Sequence, residues 1–276
     1  MRCKITSEEI NILGKYIKEK SGIVLDETKA YLFESRLGTL MDEAVCDNYL
    51  DLLEKVKKDY SGTFSVKLID AVTTNETSFF RDKAPFQLFI QKIVPDFYER
   101  NPSGTMNIWS AASSTGQEIY SLIMMLKDAG ICPPKFKMKM LGTDICDLVI
   151  SRASRGRYSK FELARGMDSA KLNKFFVPFG DEWVIKEEIR AMVQFKRLNL
   201  LDPLMLNMLG RFDVIFCRNV AIYFSQDDKK KLFNSLATLL NPCGILVIGA
   251  TESLLGITER FVRKDFRGTI FYEKVN

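Results

Sequence analysis

A doubly wound α/β domain, preceded by a small all-helical N-terminal domain and carrying a small antiparallel β insertion, is the fold this chain of 276 residues predicts. Three observations carry that expectation. The first seventy or so residues read as amphipathic helices with no strand pattern. From residue 106 onward, short apolar runs alternate with helical segments, the rhythm of a mostly parallel sheet. Val177 to Phe195 breaks the rhythm with Pro178, Gly180 and two short alternating runs, which suggests a small antiparallel excursion.

Thr6-Ser7-Glu8-Glu9 offers a capping box, and Ile10, Leu13 and Ile17 then form an apolar stripe, so a first helix starts there. Lys29 to Met41 reads as one second helix with Leu32, Leu37, Leu40 and Met41 on its apolar side, and Tyr49 to Val56 as a third. Ser61-Gly62 marks a break before Phe64 to Val72. Residues 1–72 are therefore expected as the helical domain, 73–90 as a linker contributing to the functional site, and 91–276 as the α/β domain with its β insertion at about 177–195. A helix over 84–98 leads to strands near 106–110, 137–143, 193–199, 213–217, 245–249 and 269–273.

Composition removes several function classes. There is no histidine, so Ser-His-Asp and Cys-His nucleophiles, a histidine base and His-containing zinc motifs are excluded. The cysteines at 3, 46, 132, 146, 217 and 243 form no Cys-x-x-Cys pair, which argues for reduced, packed thiols and no metal. No apolar run approaches a membrane span and the start does not read as a signal peptide, so a cytoplasmic protein without membrane insertion is expected. Residues 1–80 hold 11 Lys+Arg against 14 Asp+Glu, and the remainder of the chain carries a net +8. A basic second half suits an acidic partner, while the lack of a Lys/Arg stripe with interleaved aromatics speaks against nucleic acid.

Residues 106–125 read as a short strand, a bend of small residues from Ala111 to Gly116, and an amphipathic helix. In a doubly wound sheet this first turn is where nucleotide-like cofactors sit. The bend has one glycine, and Glu118 stands where a phosphate cradle would want no carboxylate. Asp144 ends a second strand, at the position that holds ribose hydroxyls in such folds. Together the two acids point to a nucleoside carrying positive charge, a description that S-adenosylmethionine answers. Two structural alternatives stand beside this reading: Thr115 to Glu118 is also a capping box, and Asp144 could be the N-cap of the next helix.

Thr73-Thr74-Asn75-Glu76-Thr77-Ser78-Phe79-Phe80-Arg81 resembles the signature of the chemotaxis receptor glutamate methyltransferases, the CheR family. Trp109 to Glu118, Thr143-Asp144-Ile145, Asn199-Leu200-Leu201 and Cys217-Arg218-Asn219-Val220-Ala221-Ile222-Tyr223 fall in the family's order, and the resemblance spans essentially the whole chain. It implies a Rossmann-like class I methyltransferase domain that binds S-adenosylmethionine, releases S-adenosylhomocysteine and uses no metal. It also implies that Asn75, Thr77 and Arg81 close over the cofactor, with Glu118 and Asp144 as acidic contacts. Asn199 and Leu200 would lie at the adenine side, Arg218 and Asn219 at the end of the fourth strand, and Tyr223 beside the transferred methyl, with Arg81 and Tyr223 as the catalytic candidates. Each has a plainer alternative: turn stabilisation for Asn75 and Thr77, a surface ion pair for Arg81, snorkelling for Arg218, packing for Tyr223. Phe79, Phe80 and Trp109 read as packing residues.

The implied substrate is glutamate on the cytoplasmic helical bundle of chemoreceptors, methylated by a monomeric enzyme. Only Arg36 remains of the arginine row that relatives use for docking, with Thr39 and Asp42 at the next two positions, and the turn at Gly180 is short. Tethering to a receptor C-terminal peptide is therefore not expected. Removal of residues 1–60 is expected to leave much of the cofactor binding. The rival readings are a methyltransferase for a different substrate and a cofactor-sensing signalling module.

Overall fold

The computed structural model describes residues 4–131 and 136–275, so the expectations placed on Cys3 and Cys132 lie outside the described residues. The first helix, α1 (Ser7–Ser21), opens on the expected capping box: Thr6 Oγ1 accepts from the Glu9 amide, and Glu9 accepts in return from the Thr6 amide at 2.8 Å. The single helix expected over 29–41 is instead a 3-10 turn, Glu27–Lys29, followed by α2 (Ala30–Arg36) and α3 (Gly38–Ala44). Gly38, the poorest helix former after proline, sits at the break. Buried Phe33, Leu40 and Met41 then point into one core from two differently directed helices. The helices α4 (Tyr49–Lys58) and α5 (Thr63–Val72) complete this part.

The helix expected over 84–98 is α6 (Ala84–Leu88) and α7 (Val94–Arg100) around one π turn, Phe89–Ile93. Pro95 explains the wide turn, because it has no N–H to donate and its ring crowds the carbonyl one turn back.

Seven strands form the main sheet: β1 (Thr105–Ala111), β2 (Lys137–Asp144), β6 (Val193–Arg197), β7 (Phe212–Cys217), β8 (Leu240–Ile248), β9 (Phe261–Phe266) and β10 (Thr269–Lys274), in the order β6-β2-β1-β7-β8-β10-β9. From β6 to β8 neighbours are parallel; β10 runs antiparallel to β8, and β9 to β10. The sequence reading missed β9, whose Arg263, Lys264 and Asp265 are exposed, so no alternation marks it. The β insertion is also wider upstream and shorter downstream than expected. Its sheet holds β3 (Arg157–Ser159), β5 (Glu182–Ile185) and β4 (Phe176–Phe179), in that order, whereas Val193–Arg197 pairs with β2 and belongs to the main sheet. A three-residue strand such as β3 is too short to show a period.

Between the strands lie α8 (Gln117–Asp128), α9 (Asp147–Arg155), α10 (Lys160–Ala164), α11 (Ser169–Phe175), α12 (Glu187–Arg190), α13 (Pro203–Asn207) and α14 (Gln226–Leu239). One face of the sheet shares a continuous core with the helical domain, in which Leu13, Phe33 and Leu68 join Trp109, Leu198 and Phe233. The other face packs Ile119, Tyr120 and Phe216 with Phe79, Phe86 and Tyr158. Gly142 is required where β2 passes β6, since a Cβ there would come within 2.6 Å of the Phe195 ring. The loops leaving the carboxyl ends of β1, β2, β6 and β7 therefore open on one crevice, where such sheets bind ligands.

Candidate active site

The loop after β1 is coiled tightly, with φ of 61° at Ala112, 50° at Ser114 and 92° at Gly116. Left-handed backbone at non-glycine residues costs on the order of 1–3 kcal/mol each and persists only where the surroundings enforce it. Here they do. The Ser113 amide donates to Thr143 O at 2.7 Å, the Ser114 amide to Asp144 Oδ2 at 2.9 Å, and Ser114 Oγ to Asn75 O at 2.8 Å. The loop is thus tied to the end of β2 on one side and to the 73–82 segment on the other.

Asp144 also accepts from the Cys146 amide at 3.1 Å. Burial raises its carboxyl above the ordinary aspartate value, against the pull of those backbone N–H groups. Among the described residues it forms no ion pair. A carboxylate offers about four acceptor positions, so Asp144 keeps capacity toward the crevice. Its alternative as helix N-cap is not realised, because that position falls to Cys146.

The capping-box alternative for Glu118 fails too: α8 starts from left-handed Gly116 with no side-chain cap. Glu118 accepts from Ser110 Oγ at 2.7 Å and from Arg218 at 2.8 Å. Arg218, its side chain 2% exposed, reaches Asp82 at 2.8 Å and Arg81 O at 3.2 Å with its other terminal nitrogen. Arg218 is therefore buried in an ion pair and does not snorkel. The carboxylate left without an ion pair is Asp144.

Arg81 donates to Glu76 O at 3.0 Å, and Glu76 pairs with Arg165 at 2.6 Å, so Arg81 is not taken up by a surface acid. Asn199 spends its side chain on protein: Nδ2 donates to Lys20 O at 2.9 Å and Oδ1 accepts from the Leu201 amide at 3.0 Å. Asn219 has φ 58°, and Glu252 holds its amide at 2.8 Å and that of Ala221 at 3.0 Å. The thiols near this end of the sheet are inert at neutral pH. Burial pushes Cys146 up to about 11 and Cys217 well above the ordinary thiol value.

All ten residues singled out from the sequence, Asn75, Thr77, Arg81, Glu118, Asp144, Asn199, Leu200, Arg218, Asn219 and Tyr223, line this one cleft of about 1120 Å³, part of it open to solvent. Sequence reasoning missed the opposite wall. Ser21, Ile23, Leu25, Lys29 and Leu32 of the helical domain also face the cleft. The Val24 amide donates to Tyr223 O at 2.9 Å, and Ile23 bridges Phe224. Left-handed Gly22 permits this, since a Cβ there would lie 2.1 Å from Leu201 Cδ1. Gly22 followed by the apolar run Ile23-Val24-Leu25 was the available signal. The expectation that removal of residues 1–60 leaves much of the cofactor binding did not reckon with these cleft-lining residues.

The lining suits an adenosine-bearing cation. Asp144 has open acceptor positions, Ser113 Oγ is buried without a protein partner, and Ile145, Leu198 and Leu200 supply an apolar wall. A family model described as CheR methyltransferase, SAM binding domain, matches residues 75–268, and one described as CheR methyltransferase, all-alpha domain, matches 8–73. Chemotaxis protein methyltransferase Cher2 of Pseudomonas putida is 34% identical over 94% of this chain and 94% of its own. Chemotaxis protein methyltransferase 1 of Vibrio cholerae is 37% identical over 93% of each chain, and that of Pseudomonas aeruginosa 34% identical over 92% of this chain and 93% of its own.

Proposed function

Because the chain belongs to the CheR family of S-adenosylmethionine-dependent methyltransferases, we propose that it methylates glutamate carboxylates on the cytoplasmic helical bundle of chemoreceptors. The observation that carries the reading is the buried, un-ion-paired Asp144 carboxylate beside the coiled Ala112–Gly116 loop. When bound, S-adenosylmethionine supplies a sulfonium-borne methyl group, which a substrate carboxylate oxygen takes as the carbon–sulfur bond breaks and its electron pair stays on sulfur, giving a methyl ester and S-adenosylhomocysteine.

The residues of the chain do the rest. Asp144 accepts the ribose hydroxyls, and Ile145, Leu198 and Leu200 pack the base. Asn75, Thr77 and Arg81 lie across the cofactor from the linker side. Arg218 bridges Glu118 and Asp82 and so fixes the linker against the end of the sheet. Tyr223 shapes the mouth through which the substrate glutamate enters. No base is needed, since a glutamate with pKa about 4.3 is ionised at neutral pH, which agrees with a chain lacking histidine. Anion and sulfonium become two neutral groups, so excluding water and aligning the reactants are the tasks left to the protein.

Arg36 is drawn inward: its guanidinium donates to Val72 O at 3.0 Å, Thr73 O at 2.9 Å and Thr74 Oγ1 at 3.3 Å. Receptor docking accordingly relies on other basic groups, and the tight Gly180 turn supports docking without a C-terminal peptide tether. The test is methyl-labelled cofactor with chemoreceptor cytoplasmic fragments. The label should be released as methanol in mild alkali and should vanish when the receptor glutamates are changed to alanine. Alkali-stable label, or label in RNA, would overturn the ester assignment.

A further inference from the structure

Through one side chain the β insertion touches two segments that flank the cleft, the loop after β1 and the 73–82 linker. Tyr158, on β3, is fully buried. Its hydroxyl donates to Thr115 O at 2.6 Å, in the coiled loop after β1. The edge of its ring contact lies against Phe79, centroids 4.9 Å apart at 75°, and Phe79 belongs to the linker between Thr77 and Arg81. Phe176 of β4 closes the cluster, 5.7 Å from Phe79 and 6.3 Å from Tyr158. The linker is pressed onto the insertion elsewhere as well, since a Cβ on Gly166 would come within 2.0 Å of Phe79 O, and Arg165 pairs with Glu76.

We propose that Tyr158 is a positioning residue for methyl transfer: held by the β insertion, it sets the distance between the Ala112–Gly116 loop and the 73–82 linker. Packing alone would need only a phenylalanine. The hydroxyl is spent on a carbonyl of the coiled loop, and burial keeps the phenol protonated, so it acts only as a donor there. Losing it leaves a buried carbonyl unpaired in a loop that already holds left-handed Ala112 and Ser114. The loop then relaxes, and the linker loses its fixed partner.

The inference rests on the cleft being the cofactor site, and the experiment separates the two. S-adenosylhomocysteine affinity is measured by calorimetry for the full chain and for Tyr158→Phe, Tyr98→Phe and Asp144→Ala. Tyr98→Phe is the matched control, because its hydroxyl also donates to a backbone carbonyl at 2.6 Å, that of Lys137, away from the cleft. Tyr158→Phe should weaken binding about five- to tenfold and raise the KM for cofactor by the same factor, with the receptor KM unchanged. Hydrogen exchange should speed up in 76–82 and 112–116 but not in β1 or β7, and Tyr98→Phe should change neither affinity nor exchange there. If Tyr158→Phe binds normally while Asp144→Ala does not, the positioning role is rejected and the cleft assignment stands. If Tyr158→Phe and Tyr98→Phe weaken binding alike, the effect is general loss of stability and the role is again rejected. If Asp144→Ala also binds normally, both readings fall.

Discussion

At the scale of single residues, the cleft is governed by two carboxylates with opposite circumstances. Glu118 is balanced by Arg218, whereas Asp144 is buried with backbone donors only. Arg218→Met would leave half-buried Glu118 with only Ser110 Oγ as a partner and release Asp82, so it should cost about 1–3 kcal/mol of stability, read by urea denaturation. Asp144→Ala should weaken S-adenosylhomocysteine binding by about 1–3 kcal/mol through lost hydrogen bonds, read by calorimetry in a protein whose circular dichroism is unchanged. The raised Asp144 carboxyl also sets a pH dependence. Its folded, ligand-free pKa lies above the unfolded value, so the stability it contributes is present below the unfolded pKa and is lost as pH rises through the folded one. Cofactor binding uses the ionised form and should run the other way, falling as pH drops through that raised value. Calorimetry from pH 7 downward checks this; an affinity that falls only in the ordinary aspartate range would contradict it.

Among the elements, the 73–82 segment is the one whose placement the rest of the fold has to enforce. It has no periodicity of its own, and it is fixed by Ser114 Oγ on Asn75 O, by Ser121 Oγ accepting from the Phe80 amide, and by Arg218 on Asp82. Left-handed Phe80 and Asp82 show that these contacts outweigh the local preference of the chain. Gly166, at φ 122°, is the point of closest approach. Gly166→Ala should therefore displace the linker and cost about 1–3 kcal/mol in strain, with a matching drop in cofactor affinity. Wild-type melting and affinity in that variant would show that the linker is not clamped there.

For the whole molecule, the helical domain lines the cleft and shares the core. Lys20 O receives Asn199, Val24 meets Tyr223, and Leu13 and Phe33 share a core with Trp109 and Leu198. A chain beginning at residue 61 should lose cofactor binding and expose that apolar sheet face, read by calorimetry together with dye binding and light scattering. A monomeric, folded truncation with full affinity would show the helical domain to be dispensable.

What the sequence determined by itself was local: the Thr6–Glu9 cap, the alternation of strands and helices, the small-residue bend at Ala111–Gly116, the acid closing β2, and the linker signature at 73–81. Those are set by neighbouring residues, and neighbours are visible in a string. Even local signals failed where an element was too short or too exposed to show a period, as with β3 and β9, or where one proline reset a helix, as at Pro95. The tertiary structure alone decided which groups meet. Arg218 finds Glu118 across 100 residues, Asn199 finds Lys20 across 179, and Tyr158 finds Thr115 across 43. Such pairings follow from which faces of the sheet are covered and by what, and that depends on the packing of the whole chain at once.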